Sequence, residues 1–358
     1  MPESRAEIFD RIGRKLVVLE SRARMAAVES GWMTTLSRVA RLGKRALARP
    51  ISLLASGTGT PGRAADRPAD GAAIPAPATA PVSRSRSPRP LPIVFIHRSN
   101  SDHLRYALAQ AKHSNPASPV FLLGDASNNV YDFVEHRNLT DHFDGAAALE
   151  KIYKHYSTHG VGFELICFQR WFILRDFLAA QGLDQCLYLD SDVMLYADVT
   201  GDLRKFDEFD FTLCWDAIGC VFFLNRFQGL EQFCQFVMDI YGKKEKYHYD
   251  RMVSHYAVRT KHGLPGGACD MTAFQFFREI NFGQIGEASR VIDGSIYEPN
   301  INLPNPGFAM ENGVKKIVWK DGQPYGTYVR TGEAVRFNSL HFNGSAKRLM
   351  SSYFTGRL

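Results

Sequence analysis

Apolar residues are unevenly distributed along the 358-residue chain. From Ile93 onward, short continuous apolar runs alternate with longer stretches whose apolar positions recur every three or four residues. The short runs read as strands buried on both faces, and the longer spacing reads as helix. Strands are therefore expected at Ile93–Ile96, Val120–Leu123, Cys186–Leu189, Phe211–Cys214 and Val221–Leu224. Helices are expected at His103–Lys112, Leu165–Leu178, Gly229–Tyr241 and Met271–Ile280. Further short strands are expected near Arg290–Ile292, Lys316–Trp319 and Ala334–Phe337. Strands alternating with helices predict an α/β body over residues 93–358, with a mostly parallel sheet flanked by helices.

The first 92 residues have a different texture. Ile8, Ile12, Leu16 and Leu19 recur at helical steps with Arg11, Arg14 and Lys15 between them, and Leu36, Val39, Leu42 and Leu47 lie among Arg38, Arg41, Lys44 and Arg45. Residues 1–50 thus read as a basic helical arm, able to lie on an anionic membrane, pack on a partner helix, or stay solvated. Residues 51–92 hold eight of the seventeen prolines and no aromatic residue, the composition of an extended linker.

Charge sharpens this division. The net charge of +6 separates into +9 over residues 1–92 and −3 over the remainder. The body is mildly acidic, so the basic pI does not indicate a nucleic-acid partner. No run reaches the roughly 18–20 apolar residues needed to cross a bilayer. The polar start MPESRAEIFD lacks the pattern of a secretory signal. The six cysteines form no C-x-x-C pair and sit mostly in apolar runs, as expected of free thiols in a reducing cytoplasm. The expected location is cytoplasmic, peripheral on the inner face of a membrane if the arm binds one.

Two motifs carry chemistry. In Leu187-Tyr188-Leu189-Asp190-Ser191-Asp192-Val193-Met194-Leu195 an apolar strand runs into two acids spaced i, i+2. In an extended strand both would point the same way, at the carboxyl end of a parallel strand where ligands bind. Two converging carboxylates repel unless a hard divalent cation neutralises them. A strand ending in a polar Asp-Ser-Asp turn is the plain alternative. Near the C-terminus stands His341-Phe342-Asn343-Gly344-Ser345-Ala346-Lys347. A neutral His341 suits a Mn²⁺ site completed by carboxylates, Gly344 permits close approach of a phosphate, and Lys347 offers it a point charge.

The order of these pieces resembles the nucleotide-sugar glycosyltransferases of the GT-A fold, and is most similar to the retaining glycosyltransferase family eight. The likeness spans about Ile93 to Lys347 and rests on the YLD-x-D strand and the late H-x-x-G-x-x-K. It implies that Asp190, Asp192 and His341 hold Mn²⁺ or Mg²⁺, with Asp190 also facing the nucleotide. It implies that Lys347 contacts the diphosphate of a donor, a UDP-sugar by family habit, and that Gly344 lies beside it. Arg170 matches a family arginine near the donor; a helix-surface charge is the alternative. Asp270 matches a residue that binds sugar hydroxyls, and an N-cap of the following helix is an equally good account. Met271 stands where the family has a glutamine near the anomeric carbon, which departs from the retaining pattern.

His97 and Asn100 sit at the first strand exit, where the base and ribose are held, although the family's aspartate is absent there. Ala217–Asn225 looks like the family's sugar-pocket strand, and Lys243–Tyr249 reads as a solvated loop or an acceptor loop. The partners implied are a nucleotide-sugar donor, a carbohydrate, lipid-linked or protein acceptor, and an anionic membrane surface. The rival readings are a nucleotidyltransferase, disfavoured by the glycine-free exit HRSNSDH, and a non-catalytic adaptor working through the arm.

Overall fold

In the computed structural model, which describes residues 89–304 and 307–357, the apolar run Ile93–Ile96 forms strand β1. The arm expected over residues 1–50, and the linker as far as residue 88, lie outside the described residues. After β1 come α1 (Leu104–Ser114), β2 (Val120–Gly124), β3 (Glu135–Asn138), α2 (Asp144–Ile152) and α3 (Val161–Gln181). The middle of the chain forms β4 (Cys186–Leu189), β5 (Val193–Leu195), α4 (Val199–Asp202), β6 (Phe211–Leu213) and β7 (Val221–Leu224). Three helices follow, α5 (Phe227–Tyr241), α6 (Lys246–Lys261) and α7 (Asp270–Ile280), before β8 (Ile285–Glu287). The last part is strand-rich: β9 (Ser295–Ile296), β10 (Met310–Glu311), β11 (Val314–Lys315), β12 (Val318–Lys320), β13 (Gln323–Thr327), β14 (Ala334–Phe337) and β15 (Ser339–His341), closed by α8 (Met350–Tyr353).

The main sheet has seven strands in the order β3-β2-β1-β4-β7-β6-β8. β3, β2, β1 and β4 run parallel, β7 is antiparallel to β4 and β6, and β6 is parallel to β8. This is the expected α/β class with a mostly parallel sheet flanked by helices. The apolar runs are continuous because both faces of each strand are covered. Ile93, Phe95, Leu187, Leu189, Val221 and Phe223 join Leu104 and Leu108 of α1 in one core cluster. Val94, Cys186, Tyr188, Phe222 and Leu224 belong to a second cluster, with α3, α5 and α7. Helix α3 carries much of that second core, including buried Phe168, Trp171, Phe172, Leu174 and Phe177. Each such side chain, fully buried, is worth about 1.5–3 kcal/mol by area. Leu91 is also buried, and the Pro92 carbonyl accepts from the amide of Leu187, so core packing begins just before β1.

Several local expectations differ from the structure. Residues Arg290–Ile292 are not a strand; Ile292 makes only an isolated bridge to Ser295, and strands lie on either side at β8 and β9. The segment beginning at Lys243 is not simply a loop, since Lys246 opens the sixteen-residue helix α6. Its polar sequence buries only His248 and Met252, one turn apart, which is too short an apolar stripe to announce a helix. Among the described residues no helix is long and apolar enough to cross a membrane, and all six cysteines are free.

A second, four-stranded sheet, β12-β13-β14-β9, precedes β15. β15 pairs antiparallel with β5, placing His341 opposite Val193, and the amide of Phe342 donates to the Asp192 carbonyl at 2.8 Å. This pairing brings two motifs about 150 residues apart in sequence to the carboxyl end of β4.

Candidate functional site

The site is built on the turn that ends β4. The strand stops at Leu189, and the amide of Val193 donates to the Asp190 carbonyl at 3.0 Å, closing a turn over Asp190-Ser191-Asp192. The extended alternation expected for the two acids is therefore interrupted, and each finds a different basic partner. Asp190 accepts from Arg170 Nη1 at 2.5 Å and from the Tyr188 hydroxyl at 2.8 Å. Asp192 accepts from Lys347 Nζ at 2.6 Å and has His341 Nε2 at 3.5 Å from its Oδ1. Ser191, between them, contacts His97 Nδ1 at 2.9 Å.

Arg170 is not a helix-surface charge. Its other terminal nitrogen donates to Asp270 Oδ2 at 2.6 Å, so one guanidinium bridges Asp190 and Asp270, with its side chain 17% exposed. Such bridging needs the planar fork of arginine. The indole of Trp171 donates to the same Asp270 oxygen at 3.0 Å. Trp171 fits because residue 219 is glycine: a Cβ there would lie 2.4 Å from the indole ring. Asp270 is also not the N-cap expected of it. Cys269 occupies the cap, exchanging bonds with Thr272, and Asp270 is the first helical residue of α7. Its Oδ1 accepts from the amide of Met271 at 2.9 Å while Oδ2 faces α3.

His341 sits in a second carboxylate contact. Its Nδ1 lies 2.8 Å from Glu298 Oε1, and Glu298 is 1% exposed. The other oxygen of Glu298 accepts from the Trp215 indole, and its amide donates to Ser339 Oγ at 2.8 Å. Glu298 has φ 57°, a left-handed backbone unusual for a side-chain-bearing residue, costing on the order of 1–3 kcal/mol. Cys220, at the entry to β7, completes a buried group with Glu298 and His341 whose ligand atoms all lie within 4.8 Å of one another. Glu298 was not legible as a site residue, and Cys220 lay in the Ala217–Asn225 stretch read as a sugar-pocket strand without a role of its own. The only sequence signals are an acid between Ile296-Tyr297 and Pro299, and a thiol opening an apolar run.

The electrostatics follow from these contacts. Burial alone would lower the pKa of His341, but Cys220, Asp192 and Glu298 outweigh it and raise it well above the ordinary value. Burial works against ionising Asp192, yet His341 and Lys347 hold its carboxyl well below the usual range. His97 goes the other way: burial, then the neighbouring His103, pull it down to about 4, so it is neutral near pH 7. Four carboxylates (Asp190, Asp192, Asp270 and Glu298) gather here with Arg170 and Lys347, with His341, which its raised pKa keeps cationic near pH 7, and with buried Lys315, which Glu298 attracts. The charges balance while His341 keeps its proton; with that proton gone, one negative charge is left in a largely buried site.

A divalent cation between His341 and Asp192 would take the place of that proton. If Glu298 takes the Nδ1 proton, the Nε2 lone pair of His341 faces Asp192 Oδ1, an acceptor against an acceptor. A proton or a cation between them removes the repulsion, and carboxylate-backed histidine is the usual arrangement at a metal. Asp192 and His341 fit a cation as they stand. Asp190 stands in the same turn with its carboxylate on Arg170, so it is not gathered with them into one ligand cluster.

The other expected residues are placed less centrally. Gly344 is exposed with φ 58°, and a Cβ there would meet nothing within 4 Å. Its glycine serves the left-handed turn rather than a tight approach by protein atoms. Asn100 is exposed, its Oδ1 accepting from the Tyr131 hydroxyl at 2.6 Å. His97 joins the acids through Ser191, whereas Asn100 is held by Tyr131.

No known protein family and no curated protein matches the sequence. Among solved structures the chain is similar to mouse xyloside xylosyltransferase 1 in its apo form, at 10% identity and TM-score 0.37, covering 55% of this chain and 84% of that one. It is similar to the glycosyltransferase GlyE of Streptococcus pneumoniae TIGR4 at 14% identity and TM-score 0.38, covering 75% of this chain and 61% of that one. An active-site mutant of LgtC shares 13% identity at TM-score 0.36, covering 75% of this chain and 98% of that one. At such identities and TM-scores the likeness assigns no activity, and function rests on the geometry of the site.

Proposed function

We propose that the protein is a metal-dependent glycosyltransferase, moving a sugar from a nucleotide-diphosphate donor to an acceptor hydroxyl. The observation that carries this reading is the carboxylate-backed His341 facing Asp192 at the β4 turn, with Lys347 and Arg170 ion-paired to the turn acids. Asp190, Asp192 and His341 would hold Mn²⁺ or Mg²⁺, which supplies Lewis-acid stabilisation of charge on the leaving diphosphate.

The chain's own residues have separable parts. Glu298 fixes the imidazole of His341 with Nε2 toward Asp192. Lys347 is ion-paired to Asp192, and exchanging that carboxylate for a donor phosphate puts its charge on the diphosphate. Arg170 holds Asp190 and Asp270 together, so Asp270 faces the same end of the sheet as the acids and can accept from a sugar hydroxyl. Neutral His97 hydrogen-bonds Ser191 and fixes the turn; His97 and Asn100 form the exit that would meet the nucleoside. A UDP-sugar donor, retention of configuration and binding of residues 1–50 to an anionic membrane belong to the same proposal.

The test is a panel of nucleotide sugars incubated with the full chain and Mn²⁺, with nucleoside diphosphate release measured. Turnover of one donor, abolished by Asp192→Asn, supports the reading. Hydrolysis or transfer from none of them defeats it.

A further inference from the structure

Cys220, Glu298 and His341 are 0%, 1% and 8% exposed, and they offer sulfur, oxygen and nitrogen within 4.8 Å of one another. These donors differ in kind from the oxygen-rich Asp190–Asp192 turn. Thiolate and imidazole select zinc-like cations, whereas carboxylates alone suit Mg²⁺ or Mn²⁺. The second carboxylate oxygen of Glu298 is taken by Trp215, leaving Oε1 on the His341 side. The nearby Cys214 turns its thiol to the Val221 carbonyl at 3.7 Å and lies within hydrogen-bond reach of Cys220, whose sulfur is the one grouped with Glu298 and His341.

We propose that Cys220, Glu298 and His341 form an interior cation site, distinct from the turn acids, that takes a thiophilic divalent ion such as Zn²⁺ or Cd²⁺. Charge balance favours it: a Cys220 thiolate and the Glu298 carboxylate neutralise a divalent ion, and neutral His341 completes the set. An electrically neutral complex is the form a buried site tolerates. The Cys220 thiol proton and the imidazolium proton of His341 both leave to solvent as the metal–sulfur and metal–nitrogen bonds form. Entry is past His341, whose side chain keeps 10% exposure beside Asp192. A consequence, which rests on the proposed function, is competition: His341 cannot be fixed for the donor metal while it ligates the interior ion, so Zn²⁺ acts as an inhibitor against Mn²⁺.

The full chain, stripped of metal, is titrated with Cd²⁺ while the ultraviolet charge-transfer band of a cadmium–thiolate bond is followed. The wild type is expected to give the band at one equivalent. Cys220→Ser removes it and weakens binding by more than about 100-fold, since a direct ligand is lost rather than an outer-shell partner, whose loss costs about 10–100-fold. Asp192→Asn keeps it. No band in the wild type, or a band that survives Cys220→Ser, overturns the proposal. X-ray absorption of the zinc-loaded wild type needs no variant: one sulfur scatterer per zinc supports the site, and nitrogen and oxygen alone refute it. A band without turnover of any donor leaves the interior site standing and removes the glycosyltransferase reading. Turnover without a band does the reverse.

Discussion

Replacing Glu298 by glutamine isolates the role of a residue that touches no substrate in the proposed reaction. The carboxylate accepts on both sides, from His341 Nδ1 at 2.8 Å and from the Trp215 indole. A glutamine keeps the volume but has one accepting oxygen and one donating NH₂. If the oxygen stays on the indole, the NH₂ faces His341 and demands an unprotonated Nδ1. The imidazole proton then moves to Nε2, where it points at Asp192 and blocks metal binding. Partners of this kind are worth about 10–100-fold in metal affinity, or about 1.4–2.8 kcal/mol. Glu298→Gln should therefore raise the Mn²⁺ concentration needed for half-maximal donor turnover by that factor, with turnover recovering at saturating Mn²⁺. Manganese titration followed by paramagnetic resonance reads the affinity directly, and a thermal melt confirms that the variant is folded. An unchanged Mn²⁺ dependence in a folded Glu298→Gln protein would refute the reasoning.

Four further outcomes follow from the same contacts. Arg170→Lys, unable to bridge Asp190 and Asp270 at once, should lose at least about tenfold in donor turnover, and Arg170→Ala should destabilise by about 2–4 kcal/mol in denaturant melts because two partly buried carboxylates lose their shared cation. Gly219→Ala should cost about 1–3 kcal/mol, since the new methyl meets the Trp171 ring, and its melting curve should shift down accordingly. His97 is held at about 4 by burial against an ordinary 6.5, so the unfolded chain binds the extra proton between those values. Stability should be fully present above pH 6.5 and fall by on the order of 2–3 kcal/mol toward pH 4, and His97→Gln should flatten that slope in urea melts taken across the window. Lys347→Ala should raise the KM for the donor more than it lowers kcat, as steady-state kinetics at saturating Mn²⁺ would show.

The sequence was most legible where local pattern and tertiary environment agree. The apolar runs at Ile93, Cys186 and Val221 are strands because both sheet faces are covered, so no partner had to be guessed. The acids, His341 and Lys347 were legible because their chemistry is unusual at the end of an apolar strand and after a late one. What one strand cannot tell is which partner each acid meets. Asp190 lies on Arg170 and Asp192 on Lys347 because the chain turns at 190–192, and that turn depends on β15 pairing with β5. Glu298 was illegible because its role comes from Trp215 and from Ser339 and His341 of β15, contacts contributed by two distant stretches. Helix α6 was missed for a different reason: it fully buries only His248 and Met252, so no periodic apolar face marks it.

The central claim is that the β4 turn holds a divalent cation for a diphosphate, and calorimetric titration of the full chain with a nucleoside diphosphate tests it most directly. Binding should require Mn²⁺, disappear in Asp192→Asn, and weaken in Lys347→Ala. Equal binding with and without Mn²⁺, or full binding by Asp192→Asn, would contradict it.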